Sequence, residues 1–263
     1  MQKLNKILSY KMILVGLSCG LTIPATADLG IVSKLVNNGI ATTQATLGHM
    51  YLTGDGISQD DVKAFEKTKE AAYRGRASSQ YTLGEMYSNG TGVRQNYTKA
   101  IEWYEKAAKQ GNAEIQYNLG TFYENGEGIP QDYNKAVEWY RRSADKGFAP
   151  AQYNLAAMYY EGQGVNQDYA EALKWLRKAA AQGDADAQNN IGNMYETGRG
   201  VKLDDAKAAE WYLKAANQEV AVAQNSLGLM YFEGRGVEQD KAKSQEWYSK
   251  SCENGYQPSC DEL

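Results

Sequence analysis

The chain has 263 residues, 43% of them hydrophobic, with 20 Tyr and 26 Gly against only 4 Pro. It is long enough to bury a large core, too aromatic for disorder and too glycine-rich for a plain helical bundle. Its formal charge of −4 argues against nucleic acid or an anionic membrane surface as a partner.

The first 27 residues differ from the rest. Lys3, Lys6 and Lys11 lead into an apolar run from Met12 to Ile23, followed by Ala25-Thr26-Ala27. A basic start, a short apolar core and an A-x-A end read as a secretory signal peptide cleaved after Ala27, which places the mature protein in the periplasm or outside the cell. The run is too short for a permanent anchor, and no later stretch is apolar for long enough to span a bilayer. Cys19 offers a rival lipoprotein signal, but Gly16 stands where that signal usually carries Leu. Cleavage removes three Lys and no acid, leaving 25 basic and 32 acidic residues, net −7. Of the cysteines only Cys252 and Cys260 remain, and an even count in an exported chain reads as one disulfide.

From residue 41 the chain repeats every 36 residues without an insertion. A Gly-x-Gly turn recurs at Gly54, Gly90, Gly126, Gly162, Gly198 and Gly234. Gln44, Gln80, Gln116, Gln152, Gln188 and Gln224 form a second column; Tyr51, Tyr87, Tyr123, Tyr159, Tyr195 and Tyr231 form a third. Trp103, Trp139, Trp175, Trp211 and Trp247 form a fourth, containing every Trp in the chain. Six units result: 41–76, 77–112, 113–148, 149–184, 185–220 and 221–256.

Within the third unit, Ala113 to Glu124 predicts a first helix, with Gln116, Leu119, Gly120 and Tyr123 on one face. The Gly-x-Gly loop ends it, because glycine takes left-handed angles cheaply. Asp132 or Asn134 then caps a second helix running to Lys146, with Ala136, Trp139, Tyr140 and Ala144 apolar, and Gly147 closes the unit. One such hairpin has too little core of its own, whereas stacked hairpins bury a continuous one. The fold class expected is therefore all-α.

The string "AEIQYNLGTFYENGEGIPQDYNKAVEWYRRSADKG" resembles a Sel-1-like repeat, the 36-residue relative of the tetratricopeptide repeat. The resemblance covers residues 32–263 and implies a right-handed α/α superhelical solenoid whose first helices line a concave groove. Three places depart from it. Ala156 stands where a helix-packing Gly is expected, and Glu219 replaces the helix-ending Gly of unit five, so that turn is expected to differ. Unit one has Lys67-Thr68 where the others have Trp followed by Tyr or Leu. Leu35, Val36 and Gly39 match the end of a second helix, so residues 28–40 are expected to be a capping half-repeat, with 257–263 a capping half-helix at the other end.

Cys252 occupies the Ala column of the second helices (Ala108, Ala144, Ala180, Ala216), and Cys260 the Gln column of the first. These columns are expected to face each other across the turn between units, where a bond would contribute roughly 2–3 kcal/mol. The spacing is also similar to helix-linking pairs in cysteine-rich secreted Sel-1-like repeat proteins of bacteria. Two free thiols remain the alternative.

The chemical signals are weak. No Gly-x-Gly continues to a third Gly or to Gly-Lys-Ser/Thr, so the loops read as turns and not as phosphate cradles. Ser143-Ala144-Asp145-Lys146 matches the S-x-x-K string of penicillin-recognising enzymes, and some secreted relatives are described as penicillin-binding or β-lactamase-like, but no S-D-N or K-T-G companion is present. His49 is the single histidine, so no zinc set is visible. Neither a catalytic constellation nor a cofactor or metal site is expected.

Positions that vary between units on the first helix carry the remaining signal. Tyr81, Tyr117, Tyr153 and Asn189 share one column, Asn118, Asn154 and Asn190 the next, and Glu85 and Asn193 the one a turn further. In tetratricopeptide-like proteins these offsets face the groove, where Asn bonds a peptide backbone and Tyr offers a rigid surface. The alternative is that the Asn side chains tie neighbouring units together. The chain thus reads as an exported, monomeric, non-enzymatic scaffold for a protein or peptide. By resemblance its roles include envelope assembly, host interaction and signalling. The alternatives are a β-lactam-active hydrolase of the β-lactamase type and a binder of peptidoglycan fragments. The sequons at Asn89 and Asn96 also fit a eukaryotic secretory scaffold, although the Lys-rich leader and unbroken array favour a bacterium.

Overall fold

The computed structural model describes residues 29–126 and 128–262. The signal-peptide reading of 1–27, with its rival at Cys19, lies outside the described residues. Those described form thirteen helices and no strand: α1 (Leu29–Thr53), α2 (Asp61–Tyr73), α3 (Ala77–Asn89), α4 (Tyr97–Ala108), α5 (Ala113–Asn125), α6 (Tyr133–Ala144), α7 (Ala149–Glu161), α8 (Tyr169–Ala180), α9 (Ala185–Thr197), α10 (Asp205–Ala216), α11 (Ala221–Glu233), α12 (Lys241–Glu253) and α13 (Gln257–Cys260). The class is an all-helical repeat solenoid. The chain divides into two compact units, one ending at Ile115 and one beginning at Gln116, and within each unit successive helices pack on one another.

Every second helix opens in the same way. Asp60, Asn96, Asp132, Asp168, Asp204 and Asp240 each accept the backbone N–H three residues on, which satisfies a donor that the helix leaves orphaned. Each such cap contributes about 1 kcal/mol. Asp132, and not Asn134, caps α6.

The Gly-x-Gly loop needs its two glycines for different reasons. Gly198 ends α9 in the left-handed conformation, φ 69°, and its N–H bonds the Met194 carbonyl. Gly200, φ 71°, passes so close to the start of α8 that a Cβ there would lie 2.6 Å from the Tyr169 carbonyl oxygen. The first glycine turns the chain; the second lets one repeat seat against the one before it.

Inside a repeat, a glycine of the first helix meets a tyrosine ring of the second. A Cβ on Gly84, Gly120, Gly192 or Gly228 would lie 2.6, 2.6, 2.7 or 2.9 Å from the ring of Tyr104, Tyr140, Tyr212 or Tyr248 respectively. At Ala156 the methyl is accommodated because the facing residue is Leu176. The two exceptions compensate each other.

Successive repeats are joined by buried amides. Gln80, Gln152, Gln188 and Gln224 donate to the carbonyls of Ala72, Ala144, Ala180 and Ala216, eight residues earlier, at 3.1–3.4 Å. The same Gln oxygens accept from Gln110, Gln182, Gln218 and Asn254 at 2.7–2.9 Å. At the C-terminal end Cys252 and Cys260 occupy the matching positions and form a disulfide, Cα–Cα 4.9 Å, so a covalent bond stands where the other repeats have an amide.

The structure departs from the sequence reading at three places. α1 runs unbroken through Gly39, so no helix ends there, and residues 29–40 extend the first helix of unit one. Glu219 keeps the turn of its siblings, with φ 65° and the same bonds back to Ala216 and Ala215, because those hydrogen bonds outweigh the strain of a left-handed side chain. The Trp column is only partly core. Trp103, Trp139 and Trp175 are buried while Trp211 and Trp247 are half-buried, and each ring is covered by the cation three residues on: Lys106, Arg142, Lys178, Lys214 or Lys250, at 3.8–4.4 Å.

Two substitutions test this account by urea denaturation. Gly200→Ala is expected to cost about 3 kcal/mol, from overpacking plus left-handed strain. Glu219→Gly, which relieves strain without changing a contact, should gain about 1 kcal/mol.

Candidate functional site

The helix face expected to line a groove is built from residues that the second helices leave half covered. In the second compact unit it comprises Tyr117 and Asn118 on α5, Tyr153 and Asn154 on α7, and Asn189, Asn190 and Asn193 on α9, all half-buried. Tyr117 lies 5.7 Å from the Tyr140 ring and 5.4 Å from the Phe148 ring. Asn190 donates to the Tyr153 hydroxyl at 3.2 Å, and Asn189 donates to the Asn190 side-chain oxygen at 3.4 Å. Tyr153, Asn189 and Asn190 thus form one polar chain. Asn154 stands apart from it, donating to the Tyr140 hydroxyl at 3.1 Å. Asn154 and Asn190 therefore both tie one repeat to the repeat before it. The Asn189 side-chain oxygen is buried and has no hydrogen-bond partner among the described residues.

The first compact unit carries the other two predicted residues. Tyr81 packs 5.2 Å from Tyr104. Glu85 is half-buried, with no ion pair among the described residues, and that burial holds its carboxyl above the usual range.

Two residues assigned to the core by periodicity also reach this face. The Tyr140 hydroxyl donates to the Glu124 carboxylate, and the Thr121 hydroxyl lies 3.1 Å from it. The Tyr212 hydroxyl donates to Glu196 at 2.6 Å, and Arg235 holds the other oxygen of Glu196 at 2.9 Å. Burial, reinforced by the carboxylate, pushes both phenols above the ordinary tyrosine range, so they stay neutral donors. Periodicity places the ring in the core but is silent about the hydroxyl at its far end. The signal was present nonetheless in the Glu that precedes Tyr140 and Tyr212 by 16 residues.

The other candidates do not gather into a site. Ser143 of the S-x-x-K string is fully buried, which closes it to a substrate arriving from solvent. His49 is exposed on α1. Among the described residues no group of three or more His, Cys, Asp or Glu is placed to hold a metal ion, and no helix is long and apolar enough to cross a membrane.

Comparisons with known proteins bear on the whole array. A family model described as Sel1 repeat matches residues 43–75, 77–112, 113–148, 149–184, 185–220 and 221–256. The solved structure of c5321, a protective antigen present in uropathogenic Escherichia coli strains and displaying an SLR fold, is 37% identical over 89% of this chain, with a TM-score of 0.76. This chain spans half of that protein's length. A Sel1 repeat protein from Oxalobacter formigenes is 34% identical, TM-score 0.67, over 82% of this chain and 84% of its own. No curated protein matches the chain.

Glu85 gives the face a pH signature. A raised carboxyl pKa stabilises the fold below the ordinary carboxylate range, and that contribution is lost as pH rises through the raised value. Glu85→Gln should therefore raise Tm at pH 7, with the difference shrinking as pH falls below the ordinary carboxylate range. Calorimetry across that range checks the sign.

Proposed function

The chain belongs to the Sel1 repeat family, and we propose that it is an exported, non-catalytic scaffold holding a protein or peptide partner along the first-helix face of its repeats. The observation that carries this reading is the Tyr153–Asn190–Asn189 chain, which ends in a side-chain oxygen without a donor. An unmet buried acceptor costs roughly 1–3 kcal/mol. A peptide N–H reaching Asn189 after a small side-chain rotation removes that cost. Tyr117 and Tyr153 add broad, stiff surface beside amides that both donate and accept, the pairing that suits an extended main chain. The Cys252–Cys260 disulfide supports export, since such bonds persist in oxidising compartments. So does the likeness to a protein described as a protective antigen. The buried Ser143 weighs against hydrolysis through the S-x-x-K string.

Two measurements test the proposal. Fractionation with intact-mass analysis should find a chain beginning at Asp28 outside the cytoplasm; a cytoplasmic product retaining Met1 overturns the export limb. With a partner cross-linked from native envelope extract and then purified, Asn118→Ala plus Asn154→Ala should weaken binding by about 2 kcal/mol, roughly 30-fold. Unchanged affinity, with Tm monitored because Asn154 also bonds Tyr140, rules out this placement.

A further inference from the structure

We infer that the fourth repeat carries a socket for an aromatic side chain of the bound peptide, at the place where Leu176 interrupts the tyrosine column. The inference rests on the peptide-binding reading and adds to it a position and a chemistry.

The fourth repeat differs from its siblings at this place. In the third repeat the Tyr140 ring lies over Gly120, and its hydroxyl is held by Thr121, Glu124 and Asn154. In the fifth the Tyr212 ring lies over Gly192, and its hydroxyl is held by Asn193, Glu196 and Ser226. The fourth repeat has Leu176 in place of the ring, and Ala157, Tyr160 and Asn190 in place of the three groups that hold the hydroxyl. A cavity of about 220 Å³ opens there, lined by Tyr153, Ala157, Tyr160, Leu176, Asn193 and Met194 among others. For scale, an apolar cavity of about 150 Å³ admits benzene. The first repeat breaks the same column with Thr68, and it too has a cavity at that residue, of about 350 Å³. In both repeats the missing ring coincides with open space.

The lining decides what fills the space. Tyr81 packs on Tyr104 and Tyr117 on Tyr140, whereas the equivalent neighbour of Tyr153 is Leu176. A ring supplied from outside restores the aromatic pair that the other two have. The opposite wall is fixed: Tyr160 lies edge-on to Tyr169 at 5.0 Å, and Arg199 covers its ring at 5.6 Å and donates to its hydroxyl. Two of the three groups that hold a hydroxyl in the third repeat are here a methyl and a ring. Glu161, Asn190 and Asn193 keep part of the wall polar, so the socket takes an aromatic ring with or without a hydroxyl. Asn190 and Asn193 also line it and offer amides to the main chain flanking such a side chain.

The test uses N-acetyl-L-phenylalanine methylamide, followed by NMR at the Ala157 and Met194 methyl groups, with N-acetyl-L-alanine methylamide as control. Saturable shifts are expected with the phenyl probe and none with the alanyl probe. The double variant Ala156→Gly/Leu176→Phe fills the socket with the chain's own ring, as in the sibling repeats, and should weaken the phenyl probe at least about tenfold while Tm holds or rises. Absence of saturable shifts in the wild-type protein overturns the socket, and that titration decides even if the variant proves unstable. Equal binding by a folded variant overturns it as well. If the socket fails while the Asn118/Asn154 pair still governs the captured partner, the groove reading survives; if that pair has no effect, the groove reading falls on separate data.

Discussion

The close approach of a tyrosine ring to a glycine is the constraint on which four of the six repeats depend. A Cβ on Gly120 or Gly192 would come within 2.6 or 2.7 Å of a facing tyrosine carbon, well inside van der Waals contact. A residue without a side chain lets the two helices pack at that distance, and in these repeats a flat ring fills the gap that remains. The ring is long enough that its hydroxyl emerges on the first-helix face, where Glu124 or Glu196 receives it. One interaction therefore fixes the spacing of the hairpin and sets a polar group on the surface where a partner would bind. Core and candidate site share a side chain, so a change in that column alters both.

Between repeats a second constraint operates. A helix end leaves its last carbonyls without partners, and a tight turn gives water little access to them. The Gln column meets this need by donating to the Ala carbonyl eight residues back, in the preceding repeat, while accepting from the closing turn of its own repeat. Each Gln thus has both ends of its amide bonded, which explains why a residue type that is rarely buried is buried at Gln80, Gln152, Gln188 and Gln224. After the sixth repeat the Cys252–Cys260 bond stands in that register.

Much of this was legible in the sequence. Period, helix pairs and turn glycines all follow from the spacing of one-letter columns, because packing between identical neighbours repeats whatever a single unit needs. The columns at Tyr117, Asn118, Tyr153 and Asn154 were legible too as a half-covered helix face. What the spacing hid were effects of paired or local energetics. Ala156 alone looks like a blemish and Leu176 like an ordinary member of its column, and their compensation appears only when the two are face to face. Glu219 suggested a different turn, yet two backbone hydrogen bonds hold the left-handed angle that glycine adopts elsewhere. Gly39 resembled a stop, but α1 passes through it, since a glycine ends a helix only when the next residues give the carbonyls another partner.

A uniform array has a problem of recognition. Six copies of one hairpin present the same face six times, and a partner bound to such a face could slide by one repeat at little cost. Register has to come from what differs. The first-helix columns change gradually, from Tyr at 117 and 153 to Asn at 189 and 225, which biases a partner toward one end without fixing its position. On the socket proposed above, a discrete interruption would fix it. Where the tyrosine column carries Leu176, the face gains a cavity with aromatic walls, and the paired Ala156 shows that the helix packing has adjusted to the change. Stability in this fold comes from sameness between repeats, so specificity falls to the positions where sameness is broken and the packing still closes.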